Sequence, residues 1–294
     1  MVAIWPSLAD TAFSIRFIDA NGIRTRVLEA GTGPALVLMH GTGGHSEAFM
    51  RNIPTLARDF RVIAFDFVGH GYSDGPDEPY TIQSYADHLS AVLDALEIER
   101  AHLSGESLGG WVAAWFAARN PERVERLVLV CPGNVTMKLE VMAAIRETTR
   151  KAVHEASMDS VRARLEWLFA PENRHLVTDE LVHVRHDIYT RPNAKSVVEN
   201  VLVLQDPDVR RRFTWTEEWC SRIEAETLIF WTDQDPTGPP SEGELLQTWI
   251  PGSQLLVLPH AGHWPQWERP EEFDQIHRDF LTTGTAKLET ETPQ

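Results

Sequence analysis

The chain has 294 residues, 43% of them hydrophobic, which is enough to bury a substantial core as one large domain or as a domain with an insertion. Its 27 basic and 43 acidic residues give a formal charge of −16 without a long run of one sign, which argues against a nucleic-acid-binding surface. Two cysteines, no basic-then-apolar leader and no apolar run of membrane length predict a cytoplasmic protein without a disulfide framework or a membrane partner.

The first predicted elements are strands. Residues 13–17 alternate at the strand period, and Asn21-Gly22 is typical of a tight hairpin turn into residues 23–28. Four uninterrupted apolar runs then indicate strands buried on both faces of a parallel sheet, at residues 35–39, 62–65, 101–103 and 127–130. Helical patterns between them, such as the apolar stripe of residues 85–96, predict a doubly wound α/β domain.

The strand–helix alternation stops after residue 133. Residues 134–212 contain amphipathic helical patterns and no convincing strand, whereas residues 227–231 and 254–258 resume the sheet. A helical block inserted between two strands is expected to cover the carboxyl ends of the strands, where ligands bind in this architecture. We therefore predict a core of residues 1–133 and 213–294, with a helical cap of residues 134–212.

The segment Gly105-Glu106-Ser107-Leu108-Gly109 joins a predicted strand to a predicted helix. Glycine two places on either side of Ser107 removes the Cβ clashes that so sharp a turn would otherwise produce. The serine hydroxyl is then held at the edge of the sheet, beside the positive end of a helix. This pattern predicts a nucleophile, although a glycine-rich turn with an incidental serine has the same sequence signature.

A serine hydroxyl needs a base to take its proton, and the base needs an acid to orient it. Asp235 follows the strand at residues 227–231, and His263 follows the strand at residues 254–258. Taken singly, the aspartate could be a turn residue and the histidine a solvated loop residue. The chain order Ser107, Asp235, His263 at successive strand ends nevertheless predicts a catalytic triad.

An oxyanion hole is predicted in the loop after the strand at residues 35–39. This loop reads His40-Gly41-Thr42-Gly43-Gly44, and its small residues let backbone N–H groups face a pocket. We expect the N–H of Thr42 and that of Leu108 to bind the oxyanion. A merely flexible loop is the alternative.

With these motifs the chain resembles the α/β-hydrolase superfamily over essentially its whole length. The matching segments are residues 40–44, 66–73 and 105–110, the Asp235 loop with Pro239, and residues 262–264. The resemblance implies a mostly parallel eight-stranded sheet with an inserted helical cap, a serine hydrolase mechanism, and no cofactor or metal. Residues 66–73 are expected to be structural, and His70 is not the predicted base.

Within the superfamily, the chain is most similar to the hydrolases of aromatic meta-cleavage products. Residues 263–268 resemble that family's His-Trp-x-Gln-Trp-Glu, which makes Trp264 a candidate substrate contact; simple packing is the alternative. Arg185 resembles the family's carboxylate-binding arginine, and a surface arginine is the alternative. The resemblance also implies that Gly41 and Asn52 line the substrate site.

This narrower resemblance implies cleavage of a carbon–carbon bond in a small-molecule substrate of the 2-hydroxy-6-oxo-hexa-2,4-dienoate type, and a homodimer. A guanidinium suits the substrate carboxylate because it binds in a bidentate way. His263 would serve both as the base for Ser107 and as the shuttle that protonates carbon before cleavage.

Two positions depart from the family pattern. Glu106 stands where these enzymes usually have asparagine, and residues 40–44 lack the family's Gly-Gly-Gly-Pro-Gly run. A carboxylate beside the nucleophile disfavours negative charge nearby. A carboxylesterase or lactonase on the same triad therefore stays open, and a ligand receptor on a hydrolase scaffold is a third hypothesis.

Overall fold

The computed structural model describes Ile4 and residues 8–288, and its centre is a sheet of eight strands in the order β1-β2-β4-β3-β5-β6-β7-β8. The strands are β1 Phe13–Ala20, β2 Ile23–Ala30, β3 Ala35–Met39, β4 Arg61–Phe65, β5 Ala101–Glu106, β6 Val124–Val130, β7 Glu226–Thr232 and β8 Gln254–Leu258. Strand β2 pairs antiparallel with β1 and β4, and every other neighbouring pair is parallel. The prediction of a mostly parallel, eight-stranded α/β sheet is confirmed.

Burial along the sheet follows the sequence pattern. Every residue of β5, at the centre of the sheet, is buried, whereas most of β1, at the edge, is partly or fully exposed. The continuous apolar runs are therefore the strands covered on both faces.

The turn between β1 and β2 has Asn21 at φ +54° and Gly22 at φ +84°, the pair of positive φ values that a type I′ hairpin requires.

Helices cover both faces of the sheet. The α-helices that follow the first hairpin are α1 Ile53–Leu56, α2 Ile82–Ala95, α3 Leu108–Ala117, α4 Leu139–Glu155, α5 Met158–Glu166, α6 Asp179–Tyr189, α7 Ala194–Val201, α8 Pro207–Arg211, α9 Glu217–Cys220, α10 Ser241–Trp249, α11 Pro265–Glu268 and α12 Pro270–Thr283. Short 3₁₀ helices lie at Ser46–Phe49, Pro121–Arg123, Pro171–Leu176 and Leu202–Gln205. Helices α2 and α3 contribute to one apolar core and α12 to the other. None of the helices described has the length and apolar character needed to span a membrane.

The segment between β6 and β7 is helical. Residues 131–225 are all described, and they contain helices α4 to α9 and no strand. This segment contacts the core loops directly: the Tyr189 hydroxyl donates to the Gly43 carbonyl at 2.9 Å, and the His263 N–H donates to the Leu168 carbonyl at 2.7 Å. The helical block therefore lies against the loops that follow β3 and β8. Its division from the core at residues 134 and 212 stays a prediction.

Candidate active site

Ser107 lies in a strained turn between β5 and α3. Its φ is +54° and its ψ is −112°, a combination that is rare for a residue with a side chain. The turn is possible because its neighbours are glycines: a Cβ on Gly105 would lie 2.2 Å from the carbonyl carbon of Gly109. A Cβ on Gly109 would in turn lie 2.3 Å from the carbonyl oxygen of Met39. The sharp turn and the close approach of β3 explain both glycines.

The structure brings Asp235 and His263 together. Asp235 Oδ2 lies 2.8 Å from His263 Nδ1, and Asp235 Oδ1 accepts a hydrogen bond from the Thr237 N–H at 2.7 Å. The loops after β7 and β8 meet because these strands are adjacent and parallel. The arrangement is that of an acid that orients a catalytic imidazole.

The other nitrogen of His263 faces Glu106. Nε2 lies 3.1 Å from Glu106 Oε1, and only 1% of the Glu106 side chain is exposed. Within the described residues, no hydrogen bond joins the Ser107 hydroxyl to His263, although both residues line the same cavity. The sequence shows that Glu106 departs from the family pattern, but its contact with His263 depends on the packing of β5 beside the His263 loop.

Two carboxylates raise the proton affinity of His263. Burial of the ring disfavours its charge, but the charge of Asp235 and the hydrogen bonds that the ring makes with Asp235, Cys131 and Glu106 outweigh that effect. The pKa of His263 is therefore held well above its ordinary value. This conformation favours the protonated imidazole.

The predicted oxyanion donors border the same space as the serine. Thr42, Ser107 and Leu108 line one cavity, and among the described residues neither the Thr42 nor the Leu108 N–H donates a hydrogen bond. Gly41 lies against the turn: a Cβ there would be 2.6 Å from Glu106 Oε2 and 3.0 Å from the Cβ of Ser107. Two free donors next to the nucleophile are what an oxyanion hole requires.

Ser107 lies where two cavities meet. The smaller has about 320 Å³ of empty space and is lined in part by Gly41, Glu106, Arg164, His263 and Trp264. The larger has about 550 Å³ and extends toward the helices that follow β6. Both cavities share Thr42, Ser107, Ile145 and Thr237. A substrate attacked by Ser107 can therefore extend in two directions.

Two buried arginines lie near the smaller cavity: Arg164 lines it, whereas Arg185 lines neither cavity and lies beside Trp264. Arg185 is 1% exposed, its Nε and Nη2 have no hydrogen-bond partner among the described residues, and its guanidinium lies 4.9 Å from the ring centre of Trp264. The alternative of a surface arginine is therefore wrong. Arg164 lines the cavity itself, and its Nη1 is also unpaired. Burial lowers the pKa of Arg164 to about 10, so that it stays charged at neutral pH.

Sequence analysis missed Arg164. It lies on α5, where its Nε donates to the Thr149 hydroxyl at 3.1 Å. An arginine on an amphipathic helix usually lies on the solvent face, so the sequence carries no signal that separates this one from its exposed neighbours.

Comparison with known proteins identifies the family. Residues 34–270 match the family model described as the alpha/beta hydrolase fold. The chain belongs to the α/β-hydrolase family. It is 36% identical over 282 residues to a 2-hydroxymuconate semialdehyde hydrolase of Pseudomonas sp. strain CF600, covering 92% of this chain and 95% of that protein. It is 34% identical over 276 residues to a 2-hydroxy-6-oxo-2,4-heptadienoate hydrolase of Pseudomonas putida, and this match covers 90% of this chain and 95% of that protein.

Solved structures agree with this assignment. The hydrolase superposes on a meta-cleavage product hydrolase from Pseudomonas fluorescens IP01 with a TM-score of 0.81 and 31% sequence identity. The match covers 92% of this chain and 98% of that one. The resemblance drawn from the sequence motifs is thus confirmed for the family and for its meta-cleavage branch.

Asn52 is not brought into the site of the hydrolase. Its amide nitrogen donates to Asp274 Oδ1 of α12 at 2.9 Å, and Asn52 lines neither cavity at Ser107. The expectation that Asn52 lines the substrate site stays a prediction that these contacts do not support. The residue follows the 3₁₀ helix Ser46–Phe49 and faces the last helix, because α12 packs against α1.

His70 also lies apart from the triad of the hydrolase. It is buried, its Nδ1 lies 3.1 Å from the Val68 carbonyl, and burial lowers its pKa to about 3. Asp66 in the same segment accepts hydrogen bonds from the N–H groups of Ser46 and Tyr72. The contacts of this segment are those of a structural loop.

One group of side chains has the spacing of a metal site. Ligand atoms of Cys131, Asp235 and His263 lie within 4.8 Å of one another. Burial raises the pKa of the Cys131 thiol to about 12, so the sulfur keeps its proton, whereas metal binding needs a thiolate. Asp235 and His263 bind each other, and this group therefore fits a triad better than a metal centre.

Proposed function

We propose that this hydrolase cleaves a carbon–carbon bond in a meta-cleavage product of the 2-hydroxy-6-oxo-hexa-2,4-dienoate type. The names of the related enzymes support this choice, since they act on such dienoates. The observation that carries the proposal is the pair of buried arginines, Arg164 and Arg185, with unpaired donors beside Trp264 and the smaller cavity. Buried guanidinium groups without partners favour a ligand carboxylate.

In this proposal the dienoate carboxylate binds at the smaller cavity, and the proton on His263 starts the reaction. The substrate binds as the dienolate, after its 2-hydroxyl has given its proton to solvent, and His263 delivers a proton to C5, which gives the keto form of the substrate. The imidazole is then neutral and faces Ser107 across the same cavity. His263 is therefore both the acid of the first step and the base of the second.

The second half of the proposal is acyl transfer. Ser107 Oγ attacks the C6 carbonyl while His263 takes its proton, and the N–H groups of Thr42 and Leu108 stabilise the oxyanion. Collapse breaks the C5–C6 bond and leaves an acyl group on Ser107. The electron pair moves to the C2 oxygen, which gains a proton from His263, so that a 2-hydroxypentadienoate departs. Water, activated by His263, then releases the acyl group as a carboxylic acid.

The test is a spectrophotometric assay of Ser107→Ala on yellow meta-cleavage products, with aryl esters as controls. We expect the wild type to remove the dienolate colour and the variant to lose at least about 10³-fold in turnover. Undiminished turnover by the variant contradicts the role of Ser107. Wild-type hydrolysis of aryl esters but of none of the dienoates favours the carboxylesterase or lactonase alternative.

Substitution of Arg185 also distinguishes cleavage of a dienoate from hydrolysis of an ester or lactone. Arg185→Met removes the guanidinium but keeps an apolar side chain against Trp264. We expect a large loss in kcat/KM for dienoates, with little change for an uncharged aryl ester, because only the dienoate carries a carboxylate. An equal loss on both substrates means that Arg185 acts on structure and does not bind the substrate.

We further propose a cytoplasmic homodimer whose cap comprises residues 134–212, as the resemblance implies. Size-exclusion chromatography with light scattering measures the mass against the 33.2 kDa of one chain. A mass of one chain at micromolar concentration contradicts the dimer.

A further inference from the structure

The larger cavity at Ser107 has several charged and polar side chains in its lining, which together form its polar part. Its lining includes the charged side chains Lys138, Arg210 and Glu242 together with Asn134 and Gln205. The same cavity is bordered by the serine and by both proposed oxyanion donors. Whatever part of the substrate lies there is therefore attached to the carbonyl that Ser107 attacks.

Arg210, on α8, is a buried cation without a carboxylate partner among the described residues. Its Nε donates to Asn134 Oδ1 at 2.5 Å, and its Nη1 donates to Gln205 Oε1 at 2.7 Å. Nη1 also donates to the Leu204 carbonyl at 3.4 Å, so every acceptor is neutral, and Nη2 makes no hydrogen bond within the described residues. The side chain is only 7% exposed. The guanidinium is thus fixed in orientation while one of its nitrogens stays available.

The remaining charges in this polar part neutralise each other. Glu242 Oε1 lies 2.5 Å from Lys138 Nζ, and the Thr136 hydroxyl also donates to Glu242. With one anion and two cations, the cavity lining carries a net charge of +1. Burial lowers the pKa of Arg210 to about 10 against the opposing effect of the Glu242 charge, which leaves Arg210 charged at neutral pH. An unpaired buried charge is unfavourable unless a ligand supplies the opposite charge.

We infer that the acyl half of the substrate ends in a carboxylate, which binds Arg210 in the larger cavity. This inference rests on the proposed function and narrows it: the substrate is a dienedioate with one carboxylate at each end. Hydrolysis of the acyl group on Ser107 then releases a dicarboxylic acid. The reaction that supplies such a substrate is ring fission of a catechol whose side chain carries a carboxylate.

The experiment compares two meta-cleavage products that are identical except at the end of the C6 substituent, a propyl group in one and a 2-carboxyethyl group in the other. We expect the wild type to prefer the carboxylated substrate by at least about tenfold in kcat/KM, the size of one charge-assisted hydrogen bond. Arg210→Met removes the charge and is expected to abolish this preference. Arg210→Lys keeps the charge and is expected to retain part of it.

Arg211→Met is the matched control, because Arg211 is the next residue of α8 and lies exposed beside Asp208. It changes the net charge equally and is expected to retain the full preference. Circular dichroism and thermal melting establish that each variant is folded. A wild type that prefers the propyl substrate, or an Arg210→Met variant that keeps the preference for the carboxylated one, overturns the inference while carbon–carbon cleavage stands.

Calorimetric titration with succinate and butyrate separates this inference from the proposed function. If neither dienoate is cleaved, the proposed function fails. The anion site nevertheless stands if succinate binds the wild type at least about tenfold more tightly than butyrate and Arg210→Met removes the difference. If succinate then binds no better than butyrate, the inference fails as well.

Discussion

At the scale of the residue, His263 lies between Asp235 at one ring nitrogen and Glu106 at the other, at 2.8 and 3.1 Å. An imidazole in this position holds its proton more strongly than one in a triad with a single carboxylate. A proton donor is useful in the first proposed step, but the second step needs His263 as a base. Glu106 therefore shifts the balance between the two roles toward the acid.

Glu106→Gln is predicted to move this balance. It removes one of the two carboxylates next to the ring, so the pKa of His263 should fall. Because the base form exists only above that pKa, the ascending limb of kcat/KM against pH should move to lower pH by the same amount. The measurement is a pH–rate profile on an aryl ester, in which no carbon has to be protonated.

Glu99→Gln is the control for this profile. Glu99 is exposed just before β5, at the end of the strand opposite Glu106, and its substitution changes the net charge equally. The limb should not move in that variant. The proton resonance of the His263 ring provides a second measurement that does not depend on turnover. An unchanged titration of His263 in Glu106→Gln contradicts the predicted effect of Glu106 on the pKa of His263.

At the scale of the element, the loop from β8 to α11 is held by the carboxylate of Glu268. It accepts hydrogen bonds from the N–H groups of Gly262 and Trp264 on either side of His263, at distances of 2.9 to 3.1 Å. It also accepts from the Ala170 N–H and the Asn173 amide, both at 2.9 Å. One side chain thus fixes the loop of the base and joins it to the segment between β6 and β7.

Glu268→Ala is predicted to lower the free energy of unfolding by about 2–4 kcal/mol, because it leaves several buried N–H donors without an acceptor. Activity should fall as well, since the position of His263 is no longer fixed. Urea denaturation measures the stability. Glu271→Ala, an exposed substitution on α12, should change it by less than about 0.5 kcal/mol. Equal stabilities for the two variants would show that Glu268 is not needed to hold the loop.

At the scale of the whole molecule, burial favours the neutral form of His45 and of five further histidines among the described residues. Burial is the main cause that lowers the pKa values of these five from the ordinary 6.5 to about 3 or 4, at His40, His70, His88, His102 and His277. Between those values and 6.5 the unfolded chain binds more protons than the folded chain. The stability that these histidines contribute is therefore complete above about pH 6.5 and is lost as the pH falls. His263 and Asp274, whose pKa values are raised in the folded chain, oppose part of this loss.

The predicted result is a loss of more than about 3 kcal/mol in the free energy of unfolding between pH 7 and pH 5.5. Urea denaturation at a series of pH values measures it. His102→Phe should reduce the loss by about 1 kcal/mol, because one titrating group is removed. His102 packs edge-on against Phe60 at 5.7 Å, so an aromatic replacement suits the site. A stability that does not change over this range contradicts the prediction.

The sequence alone was sufficient to predict the α/β sheet, the family and the triad order. These features depend on local constraints: a buried strand needs a continuous apolar run, and the turn at Ser107 needs Gly105 and Gly109 because Cβ atoms would collide there. Such constraints act within a few residues of the chain. Features that depend on them can therefore be predicted from the sequence without knowledge of which strands lie side by side.

Only the tertiary structure determined the surroundings of the serine. The contact of Glu106 with His263, the burial of Arg164 and Arg210 at two cavities, and the turn of Asn52 toward α12 all join residues that are distant in the chain. A charged residue on a helix has the same sequence signature whether water or a cavity lies beside it. Packing decides whether such a side chain faces water or a cavity, and therefore which charge a substrate in that cavity must carry.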